Sequence, residues 1–216
     1  DAQVARHPMT SGYSDRIAHA LAFSAKYAPT SRGPGTGPGK TTQPANVALI
    51  LARHGCDETT IVAGILAVLL NGMEPNRRTP LAAKVGSKFG EGGVIALAAV
   101  EPRYDTRGKE RSWEACKMEF LAGLATAEPR VLEICVANEI FHVGALHTDV
   151  RRLGPEYLSG YAPGGAEMVL RWFRGVVLTM ERHSEGPRPA MLAELRDLTG
   201  RLAGVLDISS EHIPFA

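Results

Sequence analysis

The sequence predicts an all-helical fold in a single domain. Three observations carry this expectation. Apolar residues recur at three- and four-residue spacing in nearly every segment, no stretch shows the alternation of a half-buried strand, and 216 residues suffice for one core of ordinary domain size. Ser14 and Asp15 open a first helix whose stripe is Ile17, Leu21, Ser24 and Ala28. Val47, Ile50, Leu51 and His54 mark a second, which stops at Gly55, and Asp57 caps a third. The third is apolar all round over 61–70, which predicts a central helix covered on every side. Two short helices follow over 80–89 and 93–100, joined through Gly90, Glu91 and Gly92. Longer ones are expected over 109–126 and 129–149, with Pro129 suited to a first helical position. Val169, Trp172, Phe173, Val176 and Met180 give the next stripe, and Leu192, Leu195, Leu198, Leu202 and Val205 the last. The domain is expected to span 14–207, with 1–13 a disordered or expression-derived N-terminus and 208–216 a C-terminal tail.

Composition removes several classes of function. Lys and Arg number 24 against 23 Asp and Glu, and no basic run exceeds the pairs Arg77-Arg78 and Arg151-Arg152, so nucleic acid is not an expected partner. The three cysteines, Cys56, Cys116 and Cys135, are far apart and contain no CxxC pair, which fits reduced thiols in a cytoplasmic protein. The longest apolar run is too short for a membrane span, and no membrane association is expected.

The stretch "SRGPGTGPGKTTQP" at 31–44 invites comparison with a P-loop, GxxxxGK[ST], in which backbone N–H groups cradle phosphates while Lys and a hydroxyl reach the outer phosphate and its magnesium. Gly39, Lys40 and Thr41 supply the end of that motif, but the first required glycine falls on Pro34. The segment also follows an amphipathic helix rather than a buried strand. A Gly/Pro connector between two helices is the expected reading.

The order of motifs resembles a different family. "QPANVALILARHGCDETTIVAGILAVLLNGM", then "KFGEGGVIALAAVE", then "PRVLEICVANEIFHVGAL" is similar to the HD-domain phosphohydrolases, specifically the alarmone (ppGpp) 3'-pyrophosphohydrolases of the SpoT/RelA type. Gly35-Thr36-Gly37, the Phe89-Gly90 turn and the late "VLRWFRGVVLTMERH" add to the likeness. The resemblance implies a single-domain HD-type helical bundle. In that family a divalent ion, manganese, is held by His and Asp side chains and lowers the pKa of a bound water that attacks the pyrophosphate.

Carried over position by position, the resemblance implies that this chemistry is lost. Gln43 stands for the histidine of a His-Pro pair, Ala67 and Val68 for the His-Asp pair, and Asn138 for the last metal-binding aspartate. The water-activating acidic pair falls on Asn71 and Gly72. No metal and no cofactor are therefore expected, and no catalytic residue is assigned. His142 and His147 lie five residues apart, about 500° around a helix, which separates the imidazoles. His54 and His19 read as packing residues rather than ligands.

The expected function is thus that of a catalytically inactive, pseudo-phosphohydrolase HD protein acting as a sensor or regulator. It would bind a small, nucleotide-like ligand or a protein partner, a second copy of the chain among the alternatives. Gln43, Asn71, Asn138 and His142 are the candidate polar contacts of an open pocket; in the other reading Gln43, Asn138 and His142 are bonded together as a plug. Lys40 either stays solvated or offers a positive charge to an anionic ligand. The alternative is an enzyme: a residual or atypical HD phosphohydrolase on ppGpp-like nucleotides, or a metal-independent activity with His142 as general base.

Overall fold

The computed structural model describes residues 12–28, 39–71, 73–105 and 107–208, with the backbone alone over 39–41. Among these the chain is all-helical, with nine α-helices, one 3-10 turn and a single isolated β-bridge. The Ser31–Pro38 part of the Gly/Pro stretch, and the segments 1–11 and 209–216, lie outside the described residues.

Helix α1 (Asp15–Tyr27) begins where its cap predicts. Ser14 Oγ accepts from the Ile17 N–H at 3.2 Å, and Arg16 ties the helix to Glu58 at 3.1 Å. Helix α2 (Gly39–Arg53) starts inside the expected connector, so Gly39, Lys40 and Thr41 form a first helical turn. Pro44 lies within it and has no N–H to donate to the Lys40 carbonyl. Helix α3 (Glu58–Asn71) is opened by Asp57, whose Oδ1 accepts from the Thr60 N–H at 2.8 Å. Residues 60–67, 69 and 70 of α3 are buried, as expected of a central helix.

Several boundaries differ from expectation, two of them for local chemical reasons. Helix α4 (Pro75–Phe89) starts five residues before Pro80, because Pro75 takes the first position and Pro80 is accommodated inside the helix. Helix α5 (Glu91–Ala98) follows after Gly90, whose φ of 53° suits glycine, so Glu91 and Gly92 of the expected link lie inside the helix. Helix α6 (Trp113–Leu124) is shorter than 109–126, because Asp105 competes for the backbone: its Oδ1 accepts from the N–H groups of Arg107 and Lys109, both at 2.9 Å. That turn pairs Tyr104 with Glu110 before Ser112 caps α6.

Helix α7 (Pro129–Leu153) continues beyond 149 to Gly154, followed by a 3-10 turn (Pro155–Gly160) that sequence periodicity does not reveal. Helices α8 (Gly165–Arg182) and α9 (Pro189–Val205) complete the bundle. In the packing α3 and α7 lie against each other, with α2 on both, α1 and α5 on α3, and α9 on α7. The centre is therefore shared. Helical spacing puts Val131, Cys135, Asn138, His142 and Ala145 on one stripe of α7 that should face the core; of these only Val131 and Cys135 are buried, and the buried set includes Leu132, Val136, Glu133 and Glu139 instead. Glu133 is neutralised by Arg188 Nε at 3.1 Å.

Helices α4 and α5 approach so closely that a side chain at Gly93 has no room. A Cβ there would sit 2.7 Å from the Val85 carbonyl oxygen, a backbone atom that cannot swing aside. Gly93→Ala is expected to destabilise the fold by about 1–3 kcal/mol. Gly86→Ala, whose Cβ would meet nothing within 4 Å, should be neutral or stabilising by about 0.5–1 kcal/mol. Urea denaturation of the pair checks this.

Candidate functional site

Helix α2 brings Gln43 to the middle of α7. Gln43 Nε2 donates to Asn138 Oδ1 at 2.8 Å and lies 3.0 Å from His142 Nε2. An amide nitrogen only donates, so in this orientation the imidazole Nε2 is the acceptor. His142 Nδ1 lies 3.7 Å from Glu139 Oε1 and 3.5 Å from Asn138 Nδ2. Reversing the Gln43 amide would set its oxygen against Asn138 Oδ1, so the network selects this orientation. Asn138 Nδ2 completes the group, 3.5 Å from Glu139 Oε1.

Behind this cluster lies a chain of buried charges. Glu139, 1% exposed, accepts from Trp172 Nε1–H at 2.9 Å. Lys117 sits with its ammonium 4.1 Å from the centroid of the Trp172 ring and 2.7 Å from Glu101 Oε1. Burial alone pushes the Glu139 pKa up, but the bond from His142, the Lys117 ammonium and the Trp172 N–H outweigh it and hold the carboxyl below the ordinary glutamate range. Burial likewise pulls Lys117 down, and Glu101 with Glu139 more than restores it. The thiols go the other way: burial pushes Cys135 well above the usual range and raises Cys116, so neither is an activated nucleophile.

Asn71 is placed apart from the Gln43 cluster. Its Oδ1 accepts from the Glu101 backbone N–H at 2.8 Å. Yet Asn71 and Asn138 line one cavity, together with Ala67, Val68, Glu101 and Cys135. Its volume is about 10 Å³, room for at most one water molecule. As it stands, the cleft is closed by protein groups. The side chain of Lys40 lies outside the described residues. His54, partly buried, is more than a packing residue, since its Nε2 lies 2.6 Å from Glu194 Oε2. His19 is exposed and rests against Phe89.

The donor set here does not suit a divalent ion. Ala67 and Val68 carry no ligating atom, and two neutral amides cannot replace a shell of carboxylates and imidazoles. Among the described residues no three His, Cys, Asp or Glu side chains are grouped to hold a metal. No helix of the described residues is long and apolar enough to cross a membrane.

The fold has a solved counterpart. The crystal structure of lmo0812 from Listeria monocytogenes EGD-e matches this chain with a TM-score of 0.59 at 22% identity, covering 76% of this chain and 98% of that one. At that identity the likeness concerns the fold alone. No protein-family model matches the chain. No curated protein matches it either.

Sequence reasoning brings Gln43, Asn138 and His142 forward, and the structure joins them. It misses Glu101, which lines the same cavity, and Lys117, Glu139 and Trp172, which form the buried chain of contacts behind the cluster. The available signal was a charge inside an otherwise apolar segment: Glu139 follows "ICVAN" in a helix that must pack on its partner.

Proposed function

We propose that the chain is a catalytically inactive protein of the HD type that acts by binding, as a sensor or regulator. In it the hydrolytic cleft has become a hydrogen-bonded plug. The observation that carries this reading is the convergence of four positions far apart in sequence. Gln43 bonds Asn138, while Ala67, Val68 and Asn138 share one cavity wall. The resemblance assigns these four to the metal ligands, and their meeting at one place supports its register. What fills the place is neutral and self-satisfied, so the bound water that the family's chemistry requires has nothing to generate it. A ligand reaches Gln43, Asn138 and His142 only by displacing their bonds to one another.

The test is a restoration. The wild-type protein is expected to take up no manganese and to leave an alarmone substrate intact. The variant carrying Gln43→His, Ala67→His, Val68→Asp and Asn138→Asp should gain a manganese signal by electron paramagnetic resonance. A folded variant that takes up no manganese would overturn the register, and stoichiometric metal with turnover in the wild type would overturn the inactivity.

One observation favours an enzymatic alternative. Glu139 stands behind His142 Nδ1 while Nε2 keeps a lone pair, an arrangement that suits a general base. Gln43 already occupies that lone pair, which is why the binding reading is preferred. Any turnover that disappears in His142→Ala would reverse the preference.

A further inference from the structure

Away from the closed cleft, α1 and α4 border a second cavity of about 280 Å³, open to solvent. Its described lining includes Tyr27 from the end of α1 and Asn76, Arg77, Pro80, Leu81 and Lys84 from α4. Positions 77, 80, 81 and 84 recur at helical spacing, so one face of α4 forms the wall, and Lys88 extends it by another turn. The volume lies near the lower end of the range for small-molecule sites, roughly 300–1,000 Å³.

The charge on this edge is distinctive. Lys26 and Lys84 place their ammonium groups 5.5 and 5.4 Å from the centroid of the Tyr27 ring, and Arg77 lines the same cavity; Arg78 and Lys88 follow along α4, the Arg78 guanidinium lying over Tyr104. Among the described residues none of these five cations has a carboxylate within ion-pair distance. Elsewhere the basic side chains are widely paired: Arg16, Arg53, Arg103, Arg130, Arg188 and Arg196 each meet an acid. In a chain of formal net charge +1, cations gathered on one edge repel one another, and a bound anion would relieve that repulsion.

The site also has the parts to orient an anion. Arg77 offers a planar fork that matches phosphate oxygens, Lys84 a point charge, and Asn76 an amide. Tyr27, Pro80 and Leu81 provide an apolar wall on which a ring can lie.

We infer that the cavity between α1 and α4 binds a small phosphorylated anion, its phosphates held by Arg77 and Lys84. This site is separate from the Gln43 cluster and does not depend on the HD reading.

Titration calorimetry at low ionic strength tests it with two probes, inorganic pyrophosphate and ADP, and with adenosine as the uncharged control. Pyrophosphate or ADP is expected to bind with a Kd below about 1 mM, and adenosine not to bind. Arg77→Glu and Lys84→Glu, both at exposed positions, should each weaken binding at least about tenfold, since each replaces an attraction by a repulsion. Gln43→Ala and a matched charge reversal on α9, Arg201→Glu, should leave it unchanged. Equal affinity for the two probes assigns the site to the phosphates alone. Tighter binding of ADP that weakens in Tyr27→Leu adds a ring contact, and both results support the proposal. It is overturned if neither probe binds, if Arg77→Glu and Lys84→Glu bind as the wild type does, or if Gln43→Ala abolishes binding and so moves the site to the closed cleft.

Discussion

Glu101→Ala should destabilise the protein by about 3–5 kcal/mol, the range for breaking a buried ion pair from one side. The variant strands the Lys117 ammonium, whose side chain is 10% exposed and which has the Trp172 face as its other close partner. Glu139 contributes only its field. Lys117→Met should be much milder, because the carboxylate it abandons is 21% exposed and reaches water, while the thioether fills the space beside Trp172. The double variant Glu101→Ala/Lys117→Met should lose less than the two single effects summed. Urea midpoints at neutral pH measure all three. A Glu101→Ala midpoint indistinguishable from wild type would show that Lys117 finds water in the folded protein.

The second large effect concerns Glu139. Glu139→Ala should cost about 3–5 kcal/mol, because it leaves the Trp172 N–H without its 2.9 Å acceptor and removes a compensating charge from Lys117. Glu139→Gln keeps an acceptor for Trp172 and should cost about 1–3 kcal/mol. The pH dependence separates charge from shape. Because the folded-state pKa lies below the ordinary glutamate range, the unfolded chain binds more protons in the window beneath that range, and stability rises with pH across it. The contribution is complete at neutral pH and disappears as pH falls through the lowered pKa. The gap between wild type and Glu139→Gln should therefore close as pH falls through the lowered pKa of Glu139. A gap that stays constant from neutral to acid would mean that the carboxylate charge contributes nothing.

Much of the architecture was legible in the residues. Ser14, Asp57 and Pro129 announce helix starts that the structure keeps, and the continuous apolar run of α3 predicts its burial. The second central helix was not legible, because Glu133 and Glu139 look like a solvated face in a periodicity argument. Only tertiary partners distant in sequence, Arg188 for one and Trp172 with Lys117 for the other, make their burial tolerable. The end of α4 and the start of α6 show the same limit at short range. Phe89-Gly90 is a strong punctuation that sequence reads correctly, whereas Asp105 stops the chain from coiling through hydrogen bonds that no pattern of hydrophobicity records. At the cleft, the meeting of Gln43, Asn138 and His142 was expected through the family resemblance rather than from residue type. Its closure to about 10 Å³ was not, since that depends on how three helices fit.

Pro44 gives the cleft a mechanical asymmetry. Every other turn of α2 shares its load through successive backbone bonds, but at Lys40 the ladder lacks a rung, and the residue before the missing rung is Gln43. The turn beginning at Gly39 is thus joined to the body of the helix by one backbone bond fewer than any turn after it, while Val47 and Leu51 downstream are buried. The side chain that ties α2 to Asn138 of α7 is carried immediately before the missing rung.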